Sequence, residues 1–519
     1  MEGRETGATR RAVLAAAAGG ALASVLPSAA RAADEKAPAL PGAGEAFEPN
    51  TLAALARARA AAPYAPPRFD DLPGALKDLP QERYEAIRAA PEAIAWAGDG
   101  LGYELEPLLR GSIFARPVAL YLVEGGLVRP LAYDRARFTM DGAALPELPA
   151  EAAFSGFRLR ARFDDGAELS EFALFQGGSF FRLVARGQGY GVTARALALR
   201  PADARGEEFP LFRALFVERP TPGRPIVVHA LVESESAAAA LRLTLAPGRD
   251  ASRAEIEATV FARTDIDHLG LGGMQGSYLF GTLDRRGVDD LRVAARSTEG
   301  LAIRNGAGEP IWRPVHNPDT LQVSAFVDRG PKGFGLMQRA RAYADFEDDV
   351  NHWEWRPTLW LEPAGDWGEG AVTLLEIPSD AARNENVLAY WRPKAPLAKG
   401  GELRFACRQR WDWGWPDPLP PDLARVTGSR GGRGSGGNRR LFAVDFSGDA
   451  LALPGPLEPA LSASAGTITR RSVYSYPERK TLRVLFELDP GSERASELRL
   501  ELRRGEARAS EIWLYRWTP

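Results

Sequence analysis

Carboxylates and indoles crowd two short stretches of this 519-residue chain. The first is Phe346-Glu347-Asp348-Asp349, followed closely by His352-Trp353-Glu354-Trp355-Arg356-Pro357. Carboxylate oxygens in such a run can accept hydrogen bonds from sugar hydroxyls, and indole faces are surfaces on which neutral sugar rings stack. The same run also reads as a charged turn before a strand. The second stretch holds Trp411, Trp413 and Trp415, which lead into a tract rich in Pro and Gly. Gly supplies freedom and Trp supplies stacking, so this tract is expected to fold over a bound ligand. Glu207 and Glu208 form a further acidic pair that reads equally well as a loop anchor.

Other chemistries are poorly provided for. Cys407 is the single cysteine, so neither an intramolecular disulfide nor a thiolate zinc cluster can form. It sits in the strand-like run Leu403-Arg404-Phe405-Ala406-Cys407 and reads as a small buried hydrophobe. The four histidines, His229, His268, His316 and His352, are not at metal-ligand spacing, and no cofactor is called for. With 65 basic against 68 acidic side chains, the chain lacks the cationic excess that nucleic-acid binding needs.

The elements that must position these groups are mostly strands. Phe157-Arg158-Leu159-Arg160-Ala161-Arg162-Phe163 alternates strictly, as do Leu241-Arg242-Leu243-Thr244-Leu245 and Leu498-Arg499-Leu500-Glu501-Leu502. Period two buries one face of an antiparallel strand and wets the other. No long amphipathic helices separate these runs, which predicts an all-β sandwich rather than βαβ units. Helices are expected only over 47–60 and 79–90, packed outside the main body. The tract 413–437, with Gly428-Ser429-Arg430-Gly431-Gly432-Arg433-Gly434-Ser435-Gly436-Gly437, is expected to be a mobile loop or linker. Residues 438–519 then have the length and short strands of an immunoglobulin-like sandwich.

At the N-terminus, Thr9-Arg10-Arg11-Ala12-Val13-Leu14, an apolar Ala/Gly run and Ala30-Arg31-Ala32 read as a twin-arginine signal peptide over 1–32. The expectation is export to the periplasm, with no stable membrane insertion after cleavage. The mature chain then divides as a large β-sandwich over 33–412, the tract 413–437 and a small sandwich over 438–519.

Several ordered stretches resemble the periplasmic glucan biosynthesis protein G/D family, which serves osmoregulated periplasmic glucans. They include Phe175-Gln176-Gly177-Gly178-Ser179-Phe180-Phe181-Arg182, Gly187-Gln188-Gly189-Tyr190-Gly191-Val192-Thr193-Ala194-Arg195 and Gly206-Glu207-Glu208-Phe209-Pro210. Ile311-Trp312-Arg313-Pro314, Lys332-Gly333-Phe334-Gly335-Leu336-Met337-Gln338, Glu376-Ile377-Pro378 and Glu511-Ile512-Trp513-Leu514-Tyr515 complete the pattern. The twin-arginine leader resembles the D branch. The resemblance implies a mutarotase-like antiparallel sandwich with an immunoglobulin-like domain after it. It also implies a groove for a β-1,2-glucan oligosaccharide or polysaccharide, and a membrane glucan synthase as a possible partner.

The resemblance further implies inverting endo-glucanase or transglycosylase chemistry, in which one carboxyl protonates the leaving oxygen and another activates the nucleophile. Glu385, in Asn384-Glu385-Asn386-Val387, matches the family's Asp proton donor but is one methylene longer. Ser297, in Arg296-Ser297-Thr298-Glu299-Gly300-Leu301, stands where the family carries the other Asp, and Glu299 two residues on is the substitute carboxylate. Trp353 occupies a position that is Tyr in the family. Glu347, Asp348, Asp349, Trp353, Trp355, Arg356, Trp411 and Trp413 are the expected glucan contacts. The altered pair leaves three outcomes open: hydrolysis, transfer to a sugar hydroxyl, or glucan binding and assembly without catalysis. An epimerase on the same sandwich is a distant alternative, because the histidines lack a carboxylate pairing in the sequence.

Overall fold

The computed structural model describes residues 38–68, 71–149, 153–164, 168–285 and 287–519. The expected leader at 1–32 lies outside the described residues. Within them the chain is all-β, dominated by a ten-stranded and a fifteen-stranded sheet with smaller sheets beside them. The alternating runs behave as period two requires. Along Ala251–Ala262, the side chains of Ala254, Ile256, Ala258 and Val260 are buried while Arg253, Glu255 and Glu257 are exposed. Phe157, Leu159 and Ala161 on Phe154–Ala161 are fully buried.

The apolar faces of the sheets meet in one large cluster that contains Phe157, Phe175, Phe181, Leu241, Leu243 and Trp411. Each such side chain contributes about 1.5–3 kcal/mol when fully buried. A second cluster gathers Phe442, Phe486, Trp513 and Tyr515 from the C-terminal strands with Trp312 and Trp360 from the larger body. The two regions share a sheet, because Ile512–Trp517 runs parallel to Pro310–Pro314 with Ile311 opposite Ile512 and Trp312 opposite Trp513.

Three local expectations need revision. The first helix spans Thr51–Ala61, and it packs Leu52 and Ala56 against the outer sheet face near Tyr121 and Phe216. Over 79–90 only Gln81–Tyr84 is helical, and Ile87–Ala89 is a strand paired with Phe138–Met140. Tertiary partners override the local pattern there: Tyr84 is buried with its hydroxyl donating to the Leu109 carbonyl at 2.7 Å. The tract expected to be a loop contains the strand Arg425–Arg433, aligned with Arg440–Ser447 from Arg425 opposite Ser447 to Arg433 opposite Arg440. Its backbone is also tied to residue 282, with the Gly431 amide donating to the Thr282 carbonyl (3.1 Å) and the Thr282 hydroxyl donating to the Ser429 carbonyl (2.7 Å). Cys407 is buried in the main core, and burial pushes its thiol up to about 12.

Candidate functional site

Three adjacent strands lay a polar row across one face of the ten-stranded sheet. Phe181 lies opposite Ala194 and Phe180 opposite Arg195, which sets Arg182 beside Thr193. Thr193 in turn lies opposite Gln275. Glu385, just before the strand Val387–Pro393, reaches over this row. Its Oε1 accepts from the Thr193 hydroxyl at 2.5 Å and from Arg182 Nη2 at 3.3 Å, and its Oε2 accepts from Gln275 Nε2. Behind them, Arg195 Nε donates to Gln275 Oε1 at 2.6 Å and Arg195 Nη1 donates to Glu207. The Arg195 guanidinium also lies 5.3 Å from the Phe180 ring centre and 5.9 Å from that of Phe209. Thr193 and Gln275 are buried, whereas the Glu385 side chain keeps 21% of its exposure. The carboxylate is therefore gripped from below and open from above.

The sequence builds this grip with two devices. Leu269–Gly276 carries a bulge, because Leu271 lies opposite Trp391 but Met274 lies opposite Ala389. Gly272 there has φ of 60° and no room for a side chain, since a Cβ would sit 2.4 Å from Leu361 Cδ1. One extra residue in a strand re-aims the side chains beyond it, here Gln275. On the other side, Asn386 copies a strand partner. Its Oδ1 accepts from the Tyr278 amide at 2.8 Å, and its Nδ2 donates to the carbonyls of Tyr278 (3.0 Å) and Ile377 (2.9 Å). The residue next to Glu385 is thus locked to the sheet.

Ser297 and Glu299 follow the short strand Ala295–Arg296, which pairs with Tyr278–Phe280 just beyond Leu269–Gly276. Ser297 is 1% exposed, and its hydroxyl oxygen accepts from the Ser277 amide at 2.8 Å. Ser277 follows Gln275 by two residues, so the Ser297 pocket adjoins the Glu385 row. Glu299 accepts from the backbone amides of Arg339 and Ala340, both at 3.1 Å, and pairs with Arg296 at 3.4 Å. All three partners fall on Oε2.

The acidic and aromatic stretch separates into supports and surfaces. Asp348 is buried and receives the amides of Val350 and Asn351, Arg292 Nη1 and Trp353 Nε1. Burial opposes its ionisation, yet these donors hold its carboxyl well below the usual range. Trp353 is buried beside it, so this pair braces the turn. Glu347 and Asp349 are exposed, and Asp349 accepts from the Tyr343 hydroxyl at 3.0 Å. Trp355 is 45% exposed and stacks on His352 with ring centres 3.9 Å apart, while His352 Nδ1 lies 2.9 Å from Glu354.

The same stretch is joined to the Glu385 row through residues 189–193. The Gly189 amide donates to the Trp355 carbonyl at 3.2 Å, and Arg356 donates to the carbonyls of Tyr190 and Asn351. Gly191 lies so close under Arg356 that a Cβ would meet its side chain at 2.5 Å. The following strand, Val192–Arg195, presents Thr193 to Glu385. Arg356 therefore acts on the backbone of this connection, and Trp355 is the open aromatic face beside it.

Of the other tryptophans, Trp413 donates to the Arg186 carbonyl at 2.9 Å and packs near Gly187. Trp415 is partly exposed and donates to the Arg339 carbonyl at 3.3 Å. Trp411 is fully buried in the core and presents no face to a ligand. A cavity of about 500 Å³ under Trp96, Tyr133 and Phe138 shares no lining residue with the Glu385 cluster.

Sequence reasoning gave no role to Arg182, Thr193, Arg195 or Gln275. A signal existed, since Phe180/Arg182 and Thr193/Arg195 are at i, i+2 spacing and must share strand faces. What the sequence could not supply was the register that sets these strands side by side.

Residues 47–517 match the family described as "Periplasmic glucan biosynthesis protein, MdoG". Glucans biosynthesis protein G of Vibrio cholerae serotype O1 (strain ATCC 39541) is 39% identical over 477 residues, which cover 91% of this chain and 87% of that protein. The protein of the same name from Rhodopseudomonas palustris (strain BisA53) is 40% identical over 513 residues, covering 98% and 99%. Among solved structures, the galactosidase domain of an alpha-galactosidase-sucrose kinase aligns with a TM-score of 0.25 at 8% identity, over 50% of this chain and 39% of that one. A likeness that low carries no argument.

Proposed function

The chain belongs to the MdoG family of periplasmic glucan biosynthesis proteins, and from that membership we propose that it acts on a β-1,2-glucan backbone as an inverting endo-glucanase or transglycosylase. Glu385 is the proton donor to the leaving glycosidic oxygen. The observation that carries this reading is the placement of its carboxylate, which bridges Thr193, Gln275 and Arg182 while one side stays open. As the C1–O bond breaks, the proton of Glu385 goes to the departing oxygen. A water or a sugar hydroxyl adds to C1 from the opposite face and gives up its proton to a base. Glu299 is the carboxylate offered for that step through Oε1, since its three described partners occupy Oε2. Ser297, buried and bonded to Ser277, shapes the pocket beside it. Trp355 provides an exposed stacking face, with Glu347 and Asp349 as exposed acceptors nearby in sequence.

Export through the twin-arginine route, by the Arg10-Arg11 leader, and assembly with a membrane glucan synthase belong to the same reading. The leader supports a place beside the D branch, although the relatives named above carry the name of the G branch.

A second reading is a glucan-binding or assembly factor without catalysis. It is favoured by Ser297, whose hydroxyl is committed to Ser277 and shielded from solvent. Calorimetry with a β-1,2-gluco-oligosaccharide, run beside a chain-length assay, separates the two. Binding together with cleavage or transfer that Glu385→Gln abolishes supports the enzyme. Binding with no change in the chain at high protein concentration supports the binder.

A further inference from the structure

The stretch Gly206-Glu207-Glu208-Phe209-Pro210 divides its duties between two neighbouring carboxylates. Glu208 anchors its own loop, accepting from the Ser236 amide (2.8 Å), the Ser236 hydroxyl (2.6 Å) and Arg200 Nη2 (3.2 Å). Glu207 instead grips Arg195, which donates onward to Gln275. This second contact constrains Glu385, two bonds further on.

A guanidinium has donors only, so the Gln275 atom 2.6 Å from Arg195 Nε must be the amide oxygen. The amide nitrogen is then turned toward Glu385 Oε2, where it too can only donate. Oε2 is therefore an acceptor in either protonation state of Glu385. On Oε1, Arg182 can only donate, whereas the Thr193 hydroxyl can reverse from donor to acceptor. We infer that Arg195, held by Glu207, is a positioning residue that fixes the Gln275 amide and confines the acid proton of Glu385 to Oε1. A carboxyl with its proton on one defined oxygen is aimed before the ligand arrives, which is the orientation that proton transfer rewards.

The inference rests on Glu385 as the proton-carrying group proposed above. The charged groups around it are Arg182 on Phe180–Leu183, Arg195 on Val192–Arg195, and Glu207 beyond Arg195. Replacing Arg195 removes a positive charge as well as a hydrogen bond, and loss of a cation by itself disfavours a nearby carboxylate, so the test must separate charge from orientation.

The measurement is an infrared titration of the protonated-carboxyl band of Glu385 in the mature protein, isolated by subtracting the spectrum of Glu385→Gln. Arg195→Gln frees the Gln275 amide to flip and accept the proton of Glu385, so the midpoint rises by about one to two pH units. In a Gln275→Met background there is no amide to flip, and the same change raises the midpoint by less than about half as much, the signature of two residues acting through one contact. Glu207→Gln removes an anion, which by charge alone lowers the midpoint, and loosens Arg195, which raises it only where the Gln275 amide can flip. The Gln275-dependent part of its shift is therefore upward, and it covers the case in which Arg195→Gln fails to fold. Equal shifts with and without Gln275, or no shift in any background, overturn the inference. Because the readout is spectroscopic, a wild-type protein that leaves glucan unaltered sinks the catalytic reading and still answers this question.

Discussion

Arg339 and Glu511, far apart in the chain, are joined by two hydrogen bonds of 2.9 and 2.8 Å between buried side chains. The backbone amide of the same arginine donates to Glu299 at 3.1 Å. The terminal Glu511-Ile512-Trp513-Leu514-Tyr515 stretch is thereby coupled to the ground on which a candidate carboxylate stands. Glu511 Oε2 also accepts from the Val426 amide at 2.7 Å, which ties in the strand Arg425–Arg433.

Glu511→Gln keeps the shape of that junction and removes its charge. Glu511 is the nearer of two buried carboxylates facing Arg339, the other being Asp417 at 3.7 Å, so the loss is partly compensated and the variant should lose about 2–3 kcal/mol of stability. Equilibrium unfolding in denaturant measures this, and a loss below 1 kcal/mol contradicts the junction's role.

Trp355 and Trp411 should fail in opposite ways. Trp411→Ala empties a fully buried site and should cost about 3–5 kcal/mol of stability, with glucan affinity kept in the fraction that folds. Trp355→Ala removes a half-exposed ring and should leave the melting temperature within a few degrees while weakening glucan binding several-fold. Calorimetric binding and thermal unfolding on both variants make the comparison.

Glu376 gives a pH dependence with a definite sign. Its burial opposes ionisation, but Arg313 at 3.0 Å and His316 at 3.0 Å hold the carboxyl down to about 2, below its ordinary 4.5. A folded-state value below the unfolded one stabilises at pH above the unfolded value and is lost as pH falls through the folded value. The stability gap between wild type and Glu376→Gln should therefore be full near neutral pH and shrink between about pH 4.5 and 2. A gap that stays constant over that window contradicts the assignment.

Cys407, buried and with its thiol pushed up to about 12, should not react with a thiol reagent at neutral pH while the protein is folded. Its modification rate should rise only as denaturant unfolds the main core, which makes it a reporter of that core. Rapid labelling under native conditions would show that the strand Glu402–Asp412 opens locally.

How much of this was legible in advance varies with the range of the interaction. Strict alternation in Phe157–Phe163 states which apolar side chains are buried, because the strand period is local. In Leu498–Leu502 the three leucines obey it, but Glu501 between them is buried too, held by Arg503 and Arg508. The helix expected over 79–90 was lost to a distant partner, since Ile87–Ala89 finds its hydrogen bonds at Phe138–Met140. The Gly-rich tract misled for the related reason that its backbone, with little side chain to bury, is held by Arg440–Ser447. At the site, Glu385 keeps 21% of its side-chain exposure and Trp355 is 45% exposed, so both stay accessible. Asp348, Trp353 and Trp411 have the right chemistry but point inward, and a sequence does not tell an inward indole from an outward one. The row Arg182, Thr193, Gln275 needs the register of three strands, the last of which lies 82 positions beyond Thr193, so only the fold assembles it.

The central claim is that Glu385 delivers a proton to a β-1,2-glucosidic bond. Linear β-1,2-glucan incubated with the mature protein should show an altered chain-length distribution, with any new reducing end appearing first as the α anomer by NMR. Glu385→Gln should bind the same glucan and leave its length unchanged. An unaltered polymer after prolonged incubation with wild type, or equal turnover by the variant, would contradict the account.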